Sequence, residues 1–193
     1  MVNVGILVTG YYTLDDTSGS VCATITLIED KDLRILVDPG ALPDPAVLLR
    51  ELEKRNLSPG DIDIVFITHS HMDHFKSLGL FPGAKVLDYW GWWQGDSWTK
   101  SSGKINDNIK IMETPGHSYD SITLLVKTTD GLIAVCGDVF WDKSFPGKPE
   151  DDPFAADAVT LGESREKLLS VADYIIPGHG GIFPVPKSTN KNK

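Results

Sequence analysis

Thr68-His69-Ser70-His71-Met72-Asp73-His74 holds three of the chain's five histidines and one aspartate. Histidine is the commonest metal ligand, and His69-x-His71-x-Asp73-His74 packs four nitrogen or oxygen donors into one short stretch. A solvated turn gives no reason for such a concentration. The preceding segment, Asp61 to Ile67, is rich in β-branched residues and is bounded upstream by the turn Ser58-Pro59-Gly60, so it reads as a short buried strand. The donors therefore sit where a strand ends, which is where open sheets form sites. His69 and His71 are two apart and point the same way in an extended loop, while Asp73 and His74 follow as the chain enters a helix. Two pairs aimed at two points suggest two metal ions.

The other two histidines lie in PGH (Pro115 to His117) and PGHG (Pro177 to Gly180), so none is left outside these motifs. Each follows an apolar run: His117 comes after Ile109 to Glu113, and His179 after Tyr174 to Ile176. Asp138 stands in the same relation to Leu132 to Cys136, within CGDVF. Taken singly, a histidine after a strand is usually a core or surface residue, and Asp138 would read as a turn or helix-cap residue. The cluster at residues 69 to 74 makes ligands the better reading of all seven side chains.

This order, H-x-H-x-D-H and then His, Asp and His, resembles the metallo-β-lactamase fold superfamily over nearly the whole chain. The stretches SLGLFPGA (Ser77 to Ala84), TPGHS, CGDVF and VADYIIPGHG (Val171 to Gly180) look most like its metallo-β-lactamase domain-containing protein 1 group. The resemblance implies an α/β fold, a four-layer αββα sandwich in a single domain. It implies that His69, His71 and His117 bind a first metal, that Asp73, His74 and His179 bind a second, and that Asp138 bridges them. Lactamase branches carry Cys or Ser where this chain has Asp138, whereas esterase, thioesterase, lactonase and phosphodiesterase branches carry Asp. Promiscuous β-lactamase activity stays open.

Two divalent ions about 3.5–4 Å apart lower the pKa of a water between them and polarise the electrophile, so hydrolysis suits such a site. Asp73 is the candidate catalytic residue, orienting the nucleophile or passing a proton to the leaving group. Imidazole and carboxylate donors suit zinc, and also iron or manganese. A diiron oxygen reductase of this fold usually has Glu where this chain has His71. An iron-dependent sulfur dioxygenase keeps the same ligands and stands as an alternative, beside a phosphodiester nuclease acting on RNA or DNA. The leading reading is a hydrolase of a small ester, thioester, lactone or phosphoester.

Substrate choice lies in the loops. YWGWWQGDSW (Tyr89 to Trp98) holds four of the five tryptophans, and the fifth, Trp141, lies three residues after Asp138. Packing under a loop or a homodimer interface is one reading of them. The other is an apolar wall beside the metals, with Trp92, Trp93 and Trp141 as substrate contacts. Tyr119 is a further candidate contact, as an oxyanion donor, although Tyr119, Asp120 and Ser121 read better as orienting the His117 loop. Lys143 to Asp152 is a candidate lid.

With 193 residues, 41% of them hydrophobic, the chain can bury one core, and no linker or repeat divides it. Residues 1–186 read as the hydrolase domain and residues 187–193 as a polar tail. A net charge of −9 disfavours nucleic acid as a partner, because duplex binding draws on lysines and arginines. Cys22 and Cys136 lie in apolar runs and read as core residues. The run Val2 to Val8 is too short for a signal peptide and nothing approaches a membrane span, so the expected location is cytoplasmic and the expected partner a small molecule. Val4 to Thr9, Val21 to Glu29, Arg34 to Val37, Lys85 to Asp88 and Ile122 to Lys127 read as strands, with helices at Pro45 to Leu57 and about Gly162 to Ala172.

Overall fold

The computed structural model describes residues 1–15, 17–144 and 148–186. Strands Val2–Val8 (β1), Tyr11–Leu14 (β2), Gly19–Cys22 (β3), Ile25–Asp30 (β4) and Leu33–Val37 (β5) precede the helix Ala46–Glu53 (α1). Ile64–Phe66 (β6), the one-turn helix Met72–Phe75 (α2), Lys85–Asp88 (β7), Gly91–Gln94 (β8) and Ser97–Thr99 (β9) follow. The second half runs Ile109–Glu113 (β10), Ile122–Lys127 (β11), Leu132–Val135 (β12), the helix Ala158–Val171 (α3), Tyr174–Ile176 (β13) and Phe183–Pro184 (β14).

Two sheets carry the fold, a seven-stranded one in the order β1-β4-β5-β6-β7-β8-β9 and a five-stranded one in the order β10-β11-β12-β13-β14. Because side chains alternate along a strand, each sheet has an inner and an outer apolar face. Ile35, Val37, Ile64 and Phe66 point inward and meet Ile122, Leu124, Val126 and Val135 of the second sheet. Leu27, Leu36 and Val65 point outward and are covered by Leu48 and Leu52 of α1. On the far side Ala134 and Ile175 are covered by Leu161 and Leu168 of α3. The layers are therefore helix, sheet, sheet, helix, as expected. Parallel pairing of β5, β6 and β7, and of β12 with β13, puts the C-terminal ends of these strands on one rim.

Several elements differ from the reading of the sequence. The apolar run Val21 to Glu29 is two strands, because Ala23 and Thr24 leave the sheet to bind the Pro177–Gly180 loop. Thr24 N–H donates to the Gly178 carbonyl at 2.6 Å, and its hydroxyl bonds the backbone of Gly180. Gly10 also lies there, where a Cβ would collide with Thr24 N at 2.5 Å. The segment Asp61 to Ile67 pairs as a strand only at β6, because Pro59–Asp61 forms a 3-10 turn closed by Ser58 and Asp61. Helix α1 ends before Leu57, where Asn56 takes a φ of +57°. Helix α3 starts earlier than Gly162, since the Asp157 carboxylate accepts a hydrogen bond from Thr160 N–H and caps it. The tryptophan-rich segment is not a loop: β8 and β9 form a hairpin that extends the larger sheet. Residues 187–193 and the centre of the proposed lid, 145–147, lie outside the described residues. Among the described residues no helix is long and apolar enough to cross a membrane.

Candidate metal centre

Four strand ends, those of β6, β10, β12 and β13, deliver the seven side chains. The chain leaves β6 through Ile67 and Thr68, and Thr68 carbonyl accepts from Ile122 N–H at 2.9 Å, which ties this loop to the second sheet. His69, His71, Asp73 and His74 follow, with His71 preceding α2 and Asp73 and His74 inside it. His117 comes from the turn between β10 and β11. Asp138 lies in a short 3-10 turn after β12. His179 sits beyond β13, where its N–H donates to the Trp141 carbonyl at 2.6 Å. Gly178 is required beside it, because a Cβ there would run into the Asp138 carboxylate.

The donor atoms fall into two groups, His69, His71, His117 and Asp138 in one and Asp73, His74 and His179 in the other, each with its atoms within 4.8 Å of one another. In the first, His71 Nδ1 lies 2.9 Å from His69 Nε2 and 3.0 Å from His117 Nε2. A single ring nitrogen cannot share protons with both neighbours when all three rings are neutral. Three imidazole nitrogens converging in this way suit a shared cation, which His69, His71 and His117 would hold. In the second, Asp73 Oδ2 and His74 Nε2 are buried without a hydrogen-bond partner, as is the Asp138 Oδ1 that faces them from the first. Buried polar atoms are normally satisfied, so three such atoms facing one another fit a missing shared ligand. Asp138 faces both groups: Oδ2 is 3.3 Å from His117 Nε2, and Oδ1 is 3.2 Å from both His74 Nε2 and His179 Nε2.

The rings are aimed by partners on their other nitrogens, an arrangement that fixes the tautomer. Asp38 Oδ2 lies 2.8 Å from His74 Nδ1 and accepts from the Thr68 hydroxyl at 2.7 Å, while Oδ1 accepts from Thr68 N–H. His179 Nδ1 meets the Cys22 carbonyl at 3.0 Å. Asp152, also buried, brings Oδ2 to 3.8 Å from His117 Nδ1, an electrostatic neighbour beyond hydrogen-bond distance. Asp120 accepts from Ser70 N–H and from the Ser118 hydroxyl, joining the His69 and His117 loops. Asp38 and Asp152 were not singled out in the sequence. The only sign of Asp38 is an aspartate before Pro-Gly at a strand end, with φ +49°.

Burial is the largest influence on His69 and His71, and together with the neighbouring histidines it holds both below the usual imidazole range. Burial also pulls His74 and His179 down, but the Asp138 carboxylate, joined by Asp38 at His74, outweighs it and holds both above that range. Burial pushes Asp138 up, and the facing His74 and His179 overcome this and keep it well below the usual carboxylate range. His69 and His71 are thus favoured in the neutral form and Asp138 in the ionised form, the states in which these side chains ligate a cation.

A cavity of about 300 Å³ opens onto both groups, and Val21, Met72, Trp141 and Phe154 form its apolar wall. Trp141 is buried and stacks on half-exposed Phe154, with ring centroids 5.3 Å apart. The Tyr12 hydroxyl donates to Asp142 at 2.8 Å, fastening the β2–β3 hairpin over this side. The other aromatic candidates lie elsewhere. Trp92 packs against the inter-sheet core, and with Trp93 it lines a separate groove bounded by Leu33, Ile64 and Lys85, at the opposite ends of the strands. Tyr119 is 70% exposed and lines none of the described cavities. Trp92 and Trp93, expected as substrate contacts, thus lie away from the cavity at the His and Asp groups, because the hairpin folds back along the sheet.

A paired cluster of His and Asp on the rim of an αββα sandwich is the hallmark of a metal-dependent hydrolase. The family model described as metallo-beta-lactamase superfamily matches residues 23–90. Metallo-beta-lactamase domain-containing protein 1 of Xenopus laevis is 32% identical over 197 residues, covering 96% of this chain and 82% of that protein. The chain belongs to the metallo-beta-lactamase superfamily, whose members use divalent metals. A Caenorhabditis elegans relative is 29% identical over 86% of this chain, which spans about half (49%) of that longer protein. Among solved structures, a metallo-beta-lactamase-like protein of Thermotoga maritima superposes with a TM-score of 0.75 at 22% identity, covering 95% of this chain and 99% of that one. The dizinc quorum-quenching lactonase AidC, solved with a product, has a TM-score of 0.65 at 16% identity, covering 84% of this chain and 73% of that one.

Proposed function

We propose that the protein hydrolyses a small ester, thioester, lactone or phosphoester at a centre of two divalent ions, with zinc as the metal that best suits the donors. The single observation behind this is the placement of Asp138 between the two groups, its carboxylate 3.3 Å from His117 Nε2 on one side and 3.2 Å from His74 Nε2 and His179 Nε2 on the other. His69, His71 and His117 would hold one ion, and Asp73, His74 and His179 the other. When bound, the ions supply an acidified water and polarise the oxygen of the scissile bond.

The chain's own residues do the rest. Asp73 lines the cavity, with Oδ2 3.5 Å from His74 Nε2 and 3.7 Å from His179 Nε2. It orients the attacking water, accepts its proton as the new bond to carbon or phosphorus forms, and returns that proton to the leaving oxygen or sulfur. Trp141 and Phe154 receive the apolar part of the substrate and exclude bulk water from one side. A cavity of about 300 Å³ suits a small molecule.

The experiment is a panel of chromogenic ester, thioester, lactone, lactam and phosphodiester substrates, run with chelated and zinc-loaded protein and with metal content measured. Metal-dependent turnover of one of the small esters is the expected result. Turnover confined to the phosphodiester would replace this reading with a nuclease, and iron with oxygen consumption would replace it with a dioxygenase.

A further inference from the structure

Beyond the clustered His and Asp side chains the surface opens into a second hollow. Val21, Met72 and Asp73 line both the space beneath Trp141 and this hollow of about 380 Å³, so the two form one cleft across the centre. Its ends differ in chemistry. The Trp141 end is walled by Phe154 and Val21 and has no lysine or arginine in its lining. The other end is lined by Lys76, Ser20 and Tyr11. Lys76 caps the C-terminus of α2, one turn beyond Met72, and is exposed. Among the described residues it takes part in no ion pair. Asp73 is the one acid lining this end, and its buried oxygen is turned to the histidines.

We propose that Lys76, with the hydroxyls of Ser20 and Tyr11, seats a carboxylate of the substrate at the end of the cleft away from Trp141 and Phe154. The preferred substrate is then amphipathic: an apolar or aromatic group on one side of the scissile bond and a single negative charge on the other. One ammonium and two hydroxyls match a monoanion. A phosphate dianion ordinarily recruits more than one cation or a row of backbone N–H groups. In a chain of net charge −9, an unpaired lysine at the cleft also supplies the local attraction that the overall field denies to an anion. This rests on the hydrolase reading only in placing the reacting bond over the metal centre.

The test compares two ligands of the zinc-loaded protein, 3-phenylpropionate and benzylsuccinate, which differ by one carboxymethyl group. Calorimetric titration should show benzylsuccinate binding about tenfold more tightly, the worth of one charge-assisted contact. In Lys76→Gln that ratio should fall to near one, in Lys76→Glu it should invert, and Lys76→Arg should restore most of it. A ratio near one in the native protein, a ratio that survives Lys76→Gln, or no binding of either ligand overturns the assignment. If the ratio behaves as stated while the substrate panel shows no turnover, the hydrolase reading falls and the carboxylate site stands. Turnover without the ratio sinks the carboxylate site alone.

Discussion

His74 and Asp38 meet at 2.8 Å, Nδ1 to Oδ2, with both side chains almost wholly buried. Asp38 follows β5 directly and His74 lies beyond β6, so parallel pairing of these two strands brings the residues together. The contact holds Nε2 of His74 toward Asp138 and Asp73. Asp38→Asn should keep the fold, since asparagine tolerates a positive φ, but should weaken metal binding by about 10–100-fold in competition with a chelator. Asp38→Ala strips partners from buried Thr68 and His74 and should cost about 3 kcal/mol in denaturant unfolding. Native metal affinity in Asp38→Asn would show that the contact does not orient the ring.

Asp73 and His71 both reach the open cavity. Asp73→Asn and His71→Ala should each leave the far-ultraviolet spectrum unchanged and reduce turnover by about 10²–10⁴-fold or more. Elemental analysis separates the two: His71→Ala should lose metal, whereas Asp73→Asn should lose more activity than its residual metal explains. Full activity in a variant with its metal verified would remove that residue from the centre.

The tryptophans divide by position. Trp92→Ala should destabilise the protein by about 2–3 kcal/mol, because the indole packs against the inter-sheet core, and should leave the Michaelis constant within about twofold. Trp141→Ala or Phe154→Ala should raise that constant severalfold for substrates with aromatic groups. The reverse pattern across a series of esters of varied size would put the aromatic wall at the hairpin instead.

How much of this was legible in the sequence follows from what each signal encodes. The seven donors were readable because each stands next to an apolar run that ends at Gly, Pro or a turn, and these signals are local. The role of Asp38 was not, because it depends on which strands are neighbours, and strand order is a property of the assembled sheet. The break at Ala23 and Thr24 likewise answers to a loop more than 150 residues away in sequence. The tryptophan hairpin was read as a loop because the pairing that makes it a hairpin depends on neighbours on both sides, Leu87 and Val86 on one and Thr99 and Trp98 on the other.

Cys22 and Cys136 are fully buried, and burial pushes the Cys136 thiol up to about 12 and the Cys22 thiol above its ordinary value. Only the thiolate reacts, and a raised pKa keeps it scarce until the solution pH approaches that value. At pH 8 an aromatic disulfide reagent should therefore label neither cysteine in the native protein and both in denaturant. Rapid stoichiometric labelling of the native protein would mean that one of these strand ends opens readily.

Each group of donors draws on both sheets. His69, His71, Asp73 and His74 hang from the larger one, and His117, Asp138 and His179 from the smaller. Any ion held there is a rivet through two halves of the molecule that otherwise meet along an apolar seam. Metal bound only by the folded chain stabilises it in proportion to the logarithm of its concentration over its dissociation constant. Metal supply would then set the melting temperature of this protein as directly as it sets the rate, and a cell starved of the ion would hold less of the protein as well as a slower one.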